Sequence, residues 1–476
     1  MTRCILCVVL LITLTTRTLQ AQPLHDNYVP YAVHNEHSRD VIRMLEDQLD
    51  EEIQNFGESS SGLIRRLCVK RIQFLIKQVK ARAFVKNDTL EQYLNDLVNN
   101  TAAASKLSER KRRVLVLNSP TPNAFCYGRG LFIVTVGLLG RVHSEDALAF
   151  ILGHELAHDE LRHVQEKIIR ITETNLSRRT DAQIRHILTG EITVEEIEEL
   201  RKLIYNISEY DRAHEMQADS LGYTYYVNAG YAPRGAIEAL HTLDSLQYPR
   251  YDHPEFFKPL TFSKYPFQEY WLKKRLSVYS APQSGNFMFS PDSLLSHPDL
   301  AVRRARLTPY VINEGATPTR ATDPRTPSVL ARGRFQTAEA AYRNMQHDVS
   351  LFHLLQLLQL YPDNRYLIAR TTQIFLDLYD ARSTDTFEYF ASKYTRGYGD
   401  RLLQVNSMLY NINLKETGEI GYHFINNQDN FNPNDERHYY LLWQLCGLTG
   451  RENVQTKIEA AYRKRFNKKI SSYIYR

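Results

Sequence analysis

Residues 144–161 read SEDALAFILGHELAHDEL, and they decide how the region around them folds. Ser144 and the two acidic residues after it are typical of a helix start, because the positive end of the helix dipole favours carboxylates. Ala149, Leu152 and Leu156 then recur at three- and four-residue steps, which is the spacing of one apolar helix face. The stretch therefore predicts a helix that packs its apolar side against a core.

The same helix carries the pattern H-E-x-x-H at residues 154–158. Four residues advance a helix by about 400°, so the imidazoles of His154 and His158 project from one face and can bind one zinc ion as neutral ligands. Glu155 lies beside them, where it can act as the general base that activates a zinc-bound water. Such a site needs a third protein ligand and one open coordination position.

Two later acidic residues can complete this site. Glu215 and Asp219, in the segment EMQAD, are predicted to lie one turn apart on another helix. We expect Glu215 to be the third zinc ligand, and Asp219 to accept an N–H from a ligating histidine and so fix its tautomer. The alternative for each residue taken alone is a solvated helix face. Five further histidines show no ligand spacing and are predicted to be surface or core residues: His163, His186, His214, His241 and His253.

Two short β-branched runs precede the H-E-x-x-H helix. Residues 113–118 and 131–136 predict two strands of a small sheet. Residues 119–130 between them contain the prolines and glycines that are typical of turns. From about residue 38 to residue 104, apolar residues recur at helical spacing and predict an amphipathic helical lead-in.

The chain after the metal-site residues is of three kinds. Residues 248–295 are rich in aromatic residues and prolines without periodicity, and we interpret them as a loop or lid over the cleft, with an extra packed subdomain as the alternative. Residues 313–328 have the composition of an interdomain linker. The apolar helical segments that follow predict a tetratricopeptide-like (TPR-like) array or an ordinary helical bundle.

We therefore predict a mainly α fold with a small β-sheet, an α+β zincin catalytic domain followed by an all-α TPR-like helical-repeat domain. The predicted parts are a signal peptide over 1–21, an N-terminal helical segment over 22–87, a zinc metallopeptidase domain over 88–312, a linker over 313–328 and the helical-repeat domain over 329–476.

The composition and the first residues of the chain limit the possible functions and predict its targeting. The 476 residues carry a net charge of only +5, spread along the chain, which gives no sign of nucleic-acid binding. Residues 1–21 have the basic start and short apolar run of a secretory signal peptide, and no later segment predicts a spanning helix. We therefore expect export, to the periplasm if the source has an outer membrane and otherwise by secretion. The cysteines beyond the signal are expected as buried thiols, with a disulfide between two of them as the alternative: Cys68, Cys126 and Cys446.

The chain resembles metallopeptidase family 48, the gluzincins that include prenyl-protein endopeptidases and heat-shock proteases. The resemblance rests on HELAH followed by EMQAD, on the Asn-Ala-Phe segment at residues 123–125, on LFIVTVGLL from residue 131 and on Ser-His-Pro at residues 296–298 with Arg303. It covers roughly residues 88–307.

This resemblance implies one zinc per chain, with Glu155 as base and later proton donor. Asp219 would support the ligands, and Arg212 matches a family arginine for which an exposed helix position is the alternative. An edge strand would accept an extended substrate by strand addition. The substrate-binding residues implied in this way are Asn123, Ala124, Phe125, Phe132, Ile133 and Val134.

Within the family, the predicted export and the helical tail are most similar to the periplasmic subgroup that assists β-barrel assembly. The matching histidine of that subgroup lies near the zinc, so His297 is a candidate fourth ligand or switch, with a loop cap as the alternative. The predicted function is an exported zinc metalloendopeptidase that hydrolyses misfolded or unassembled envelope proteins. Its expected partners are those proteins and, through the helical repeats, an outer-membrane assembly machinery. The alternative is a chaperone or scaffold that acts through the helical repeats, with a repressed or structural zinc site.

Overall fold

The computed structural model describes residues 23–56, 62–103, 105, 109–176, 212–244, 253–274, 300–314, 318–393 and 399–473. These residues fall into two compact units. The helical unit is drawn from residues 1–30, 248–284 and 334–476, and the helix–sheet unit from residues 31–247 and 285–333. The predicted fold class, mainly α with a small sheet and an all-α region, is confirmed.

Helices dominate the described ranges, and none of those helices is both long enough and apolar enough to cross a membrane. The strands are β1 (Ala32–Val33), β2 (Val85–Lys86), β3 (Arg113–Leu117), β4 (Ala124–Gly128) and β5 (Leu131–Thr135). The helices are α1 (Pro23–Asp26), α2 (Arg39–Phe56), α3 (Gly62–Lys80), α4 (Asp88–Ala102), α5 (Val136–Leu139), α6 (Glu145–Glu160), α7 (His163–Leu176), α8 (Arg212–Asn228), α9 (Arg234–Asp244), α10 (Leu300–Glu314), α11 (Thr326–Arg343), α12 (His347–Leu360), α13 (Arg365–Ser383), α14 (Asp400–Asn411), α15 (Leu414–Ile425), α16 (Glu436–Leu448) and α17 (Glu452–Phe466).

The sheet that borders the H-E-x-x-H helix has the strand order β3–β5–β4, with β3 parallel and β4 antiparallel to β5. Because β5 is the central strand, both of its backbone edges are paired, and Phe132, Ile133 and Val134 are at most 1% exposed. A strand paired on both sides cannot add a substrate strand. The prediction that these three residues form the substrate-binding edge is therefore wrong, and β4 lies at the edge instead.

The sequence did not indicate β4, because its end is also a turn. Gly128 and Gly130 have φ values of 103° and 81°, and Arg129 between them has a φ of 56°. A Cβ atom on Gly130 would lie 2.5 Å from the Lys111 carbonyl oxygen, so only glycine fits there. The pairing with β5 is also irregular between Cys126 and Gly128. The same few residues therefore form both a strand and its turn.

Helix α6 packs against α4, α8, α9 and β4. It approaches α8 closely, because a Cβ atom on Gly222 would lie 2.9 Å from the Gly153 carbonyl oxygen and from the His154 backbone nitrogen. Two glycines thus remove the side chains that would hold the helices apart. This close crossing brings α8 beside the H-E-x-x-H residues.

The predicted N-terminal helical segment shares a hydrophobic core with the sheet. Helices α2 and α3 pack against each other, and their buried residues Leu45 and Ile72 share one core with Leu115, Phe125 and Ile133 of the sheet. The residues predicted as a linker also belong to the helix–sheet unit. The Asp323 N–H donates to the Glu145 carboxylate at 2.7 Å, and α11 begins at Thr326. The described part of that segment is thus anchored and partly helical.

In the helical unit, the aromatic segment over residues 253–274 is part of a core. Phe256 and Trp271 are fully buried, and the ring of Phe256 lies 5.6 Å from that of Phe352 on α12. The Trp271 indole N–H donates to Glu416 at 3.1 Å. These two side chains are buried in that core and are not available to contact a substrate, which favours the alternative of a packed subdomain. The rest of the predicted lid, residues 275–295, lies outside the described residues.

Candidate metal centre

The helix that carries H-E-x-x-H begins where the sequence predicts. The Ser144 side chain accepts a hydrogen bond from the Ala147 N–H at 3.1 Å, which caps the first turn of α6. The helix is buried on nearly all of its faces, and His154 and His158 are 3% and 0% exposed. Buried imidazoles need polar partners, and here those partners come from α7, α8 and α10.

Three side chains converge on one point. His154 Nε2 lies 3.0 Å from His158 Nε2, and the carboxylate of Glu215 lies 3.5 Å from the first nitrogen and 3.4 Å from the second. Among the described residues these are the three that could together hold a metal ion. The structure thus brings together the ligands that the sequence predicted from two separate helices.

The donor set fits zinc. Two imidazole nitrogens and one carboxylate are a frequent ligand set of catalytic zinc, which keeps a fourth position open. Tetrahedral zinc with bonds of about 2.0–2.2 Å separates its donor atoms by roughly 3.3–3.5 Å, close to the separations between Glu215 and the two histidines. The site is therefore best suited to bind one zinc ion per chain.

Asp219 lies behind His154. Its Oδ1 is 2.9 Å from His154 Nδ1, so it accepts the proton that must sit on Nδ1 when Nε2 binds a metal. Although burial raises the pKa of this carboxyl, hydrogen bonds from His154 and Arg303 lower the pKa to about 2. Asp219 is therefore a carboxylate at neutral pH, and it holds His154 in one tautomer.

The sequence did not single out Arg303 as a site residue, but it is central to the charge balance. It lies on α10, is 2% exposed and donates two hydrogen bonds of 2.7 Å to the two oxygens of Asp219. A third nitrogen lies 2.6 Å from Glu215. This one cation compensates two buried carboxylates, each of which would be costly to bury alone. Its distance along the chain gave no spacing signal, and only its place after the Ser-His-Pro segment pointed to it.

Glu155 faces the edge strand. It is 1% exposed, and its carboxylate accepts a hydrogen bond from the Cys126 backbone N–H at 2.9 Å. Asn123 and Ala124 line a small cavity that also borders Glu155 and His154. The predicted base and the first residues of β4 therefore lie together. Phe125 instead packs into the core shared with α2 and α3.

His163, which the sequence placed among surface or core residues, contacts the metal centre. Its Nδ1 lies 2.8 Å from Nδ1 of His158. Burial, followed by the nearby His214, lowers the pKa of His163 to about 4. The side chain of Arg212 and the whole of His186 and His297 lie outside the described residues.

Comparison with known proteins agrees with this geometry. Residues 88–311 match the model of Peptidase family M48. This region of the chain is therefore similar to an M48 peptidase domain.

Proteins that are similar in sequence are named as metalloendopeptidases. The mitochondrial metalloendopeptidase OMA1 of Arabidopsis thaliana is 31% identical over 145 residues, which are 30% of this chain and 28% of that protein. The protein of that name from Schizosaccharomyces pombe is 30% identical over 115 residues, 24% of this chain and 34% of the relative. The mitochondrial OMA1 of Bos taurus is 43% identical over 61 residues, 13% of this chain and 12% of the relative. The matched regions thus span about a third or less of each relative.

The family match and these names support the predicted enzyme class, a zinc metalloendopeptidase. They contradict the predicted localisation, because the relatives are mitochondrial, neither periplasmic nor secreted. The segment on which that prediction rested, residues 1–21, lies outside the described residues. The resemblance to the periplasmic subgroup is correspondingly not confirmed, and neither are TPR repeats.

Proposed function

We propose that this chain is a zinc-dependent endopeptidase that cleaves extended segments of misfolded or unassembled proteins. The observation that carries the proposal is the position of Glu155, whose carboxylate accepts a hydrogen bond from the backbone of an edge strand and borders the same small cavity as the ligand His154. A base, a metal site and a surface for extended backbone thus meet at one place.

The chain's own residues supply most of the chemistry. When bound at His154, His158 and Glu215, zinc would act as a Lewis acid on the peptide carbonyl and on water. Glu155 is placed to take a proton from the attacking water onto its carboxylate and to return it to the leaving nitrogen. Asp219 keeps the Nδ1 proton of His154 in place throughout.

Strand β4 supports the choice of an extended substrate. Its inner edge pairs with β5, and no other strand of the described residues pairs with its outer edge. The Cys126 N–H points to Glu155, so the strand presents backbone groups at the base. Main-chain pairing gives affinity without reading side chains, which suits a protease for unfolded segments. The Tyr127 carbonyl already accepts from Arg71 and the Gly128 carbonyl from Gln48, so pairing is limited to the part of β4 before Tyr127.

Substitution of Glu155 by Gln tests the proposal. The change keeps the size of the side chain but removes the base, so we expect cleavage of a chemically unfolded protein to fall about 10²- to 10⁴-fold. Zinc content, measured by atomic emission, should stay at that of the wild type, because Glu155 is not a ligand.

Undiminished cleavage by Glu155→Gln would overturn the proposal. A variant that has lost cleavage but still keeps an unfolded protein from aggregating would reveal a second, non-enzymatic role and would favour the scaffold alternative for that role.

A further inference from the structure

His158, the second predicted zinc ligand, has a different hydrogen-bond partner at Nδ1 from His154, the first. His163 is the first residue of α7 and follows Arg162, whose φ of 58° turns the chain back after α6. This turn places the buried His163 ring beside His158, with ring centroids 5.0 Å apart at 68°. The two Nδ1 atoms are 2.8 Å apart, which is a hydrogen-bond distance.

The direction of this hydrogen bond follows from the partners on either side. His158 turns Nε2 toward His154 and Glu215, so a ligating, neutral His158 carries its proton on Nδ1. On the far side, His163 Nε2 lies 3.0 Å from Gln217 Oε1, an atom that can only accept. The Nε2 of His163 therefore carries its proton, and its Nδ1 has the lone pair that accepts from His158.

We propose that His163, held by Gln217, is the positioning residue of His158, and that it fixes the tautomer in which Nε2 of His158 is free to bind zinc. This proposal rests on the proposed zinc site and adds a residue to it. It makes the two ligating histidines unequal, because His154 donates to an anionic carboxylate and His158 donates to a neutral imidazole. A carboxylate partner raises the basicity of its ligand more than a neutral one does.

The ring of His163 is held from a second direction. His214, one residue before Glu215, stacks on it with centroids 4.1 Å apart at 26°. His214 Nε2 lies 3.3 Å from Glu166, on the same helix as His163. The stacked partner thus ties α7 to the start of α8. Its role in the orientation of His163 can be separated from the hydrogen bond to His158.

Two substitutions at one position test the proposal in the full-length protein. His163→Phe keeps an aromatic ring for stacking and removes the acceptor, and His163→Asn keeps an acceptor near the place of Nδ1. The readout is the zinc dissociation constant, measured by competition with a chromophoric chelator. We expect zinc binding to weaken by about 10- to 100-fold in His163→Phe and to recover most of that loss in His163→Asn.

Two further measurements separate positioning from packing. The melting temperature of each metal-free variant reports folding independently of zinc. His214→Phe keeps the stacking and leaves the His158 hydrogen bond intact, so its zinc affinity should stay within about twofold of wild type.

Wild-type zinc affinity in His163→Phe would overturn the proposal, and so would equal losses in the Phe and Asn variants with unchanged melting temperatures. Failure of the wild type itself to bind zinc would refute the proposed function instead, so the two failures are distinguishable.

Discussion

At the residue scale, Asp219 shows how the metal centre keeps its charges buried. Its Oδ1 accepts hydrogen bonds from the His154 ring and from Arg303, and its Oδ2 accepts a hydrogen bond from Arg303 alone. Hydrogen bonds to the charged form favour ionisation, and here they outweigh the burial that opposes it. The carboxylate is therefore a fixed negative charge that orients a ligand.

This charge makes the stability of the metal-free protein depend on pH. The folded-state pKa of about 2 lies below the unfolded value, so the stabilisation is present above the unfolded pKa and is lost as the pH falls through about 2. Its size is about 2 kcal/mol. Asp219→Asn should be less stable than wild type to urea at about pH 6, and the difference should shrink toward about pH 3. A difference independent of pH would contradict this explanation.

The local part of this site was predictable from the sequence, and the remote part was not. His154, Glu155 and His158 lie on one helix, and Glu215 and Asp219 on another, so helical spacing alone indicated which side chains share a face. Arg303 and His163 reach the site from other elements. Their positions at the site depend on how those elements pack. A single arginine or histidine on a predicted helix does not indicate that packing.

At the element scale, the crossing of α6 and α8 sets the geometry of the ligands. Two ligating residues lie on α6 and one lies on α8, so their separations depend on the distance between the helices. Gly153 and Gly222 make that distance short. Close-packed interiors have little room to absorb an added methyl group.

Gly222→Ala should therefore push the helices apart. Its Cβ would lie 2.9 Å from backbone atoms of Gly153 and His154, which cannot move without moving α6. We expect a loss of about 1–3 kcal/mol in unfolding free energy, together with weaker zinc binding. Urea titration and chelator competition measure the two effects.

Gly62→Ala is the matched control. An added Cβ there meets only the end of the Arg66 side chain at 3.6 Å, an ordinary contact. Alanine also has the higher helix propensity, so stability should be unchanged or slightly increased. A Gly222 variant as stable as this control would show that the helices are free to adjust.

The strands show which features of the sheet local sequence patterns do not predict. The apolar runs that form β3 and β5 were predicted within a residue at their ends, because β-branched residues mark a buried strand. The order of the strands in the sheet was not predicted, because it depends on which strand edges pair. The parallel pairing of β3 with β5, and the insertion of β4 on the other side, left the predicted edge strand at the centre.

At the scale of the whole molecule, the compact units do not follow the chain in simple blocks. The helical unit draws on the start of the chain, on the aromatic segment after residue 248 and on the C-terminal helices. The sequence predicted consecutive domains because its boundary signals, the shifts in composition and the extent of the family resemblance, only mark positions along the chain. Composition cannot show that buried Tyr28 packs against Phe335 and Tyr366, with ring centroids 5.0 Å away in both cases.

The aromatic segment gives a test at this scale. Phe256 is fully buried in the helical unit, so Phe256→Ala should lower the stability of that unit by about 3–5 kcal/mol. The two tryptophans of the chain are Trp271 and Trp443, both in the helical unit, so urea unfolding followed by tryptophan fluorescence reports it. Cleavage of a short peptide under folding conditions should be unchanged.

Tyr389→Ala is the matched control, because Tyr389 is 72% exposed in the same unit, and it should change stability by less than about 0.5 kcal/mol. A Phe256→Ala protein of normal stability but impaired peptide cleavage would instead support a role for this segment at the cleft.

Arg303 also has a consequence for biosynthesis. On the ribosome, Glu215 and Asp219 leave the exit tunnel before Arg303, which lies 84 residues after Asp219. At about 5–20 residues per second, the interval is about 4–17 s. During that interval the nascent chain has both carboxylates but lacks their guanidinium partner, so burying them is unfavourable unless a metal ion supplies the positive charge. Without a bound metal ion, burial of the two carboxylates is therefore unfavourable until α10 has been translated.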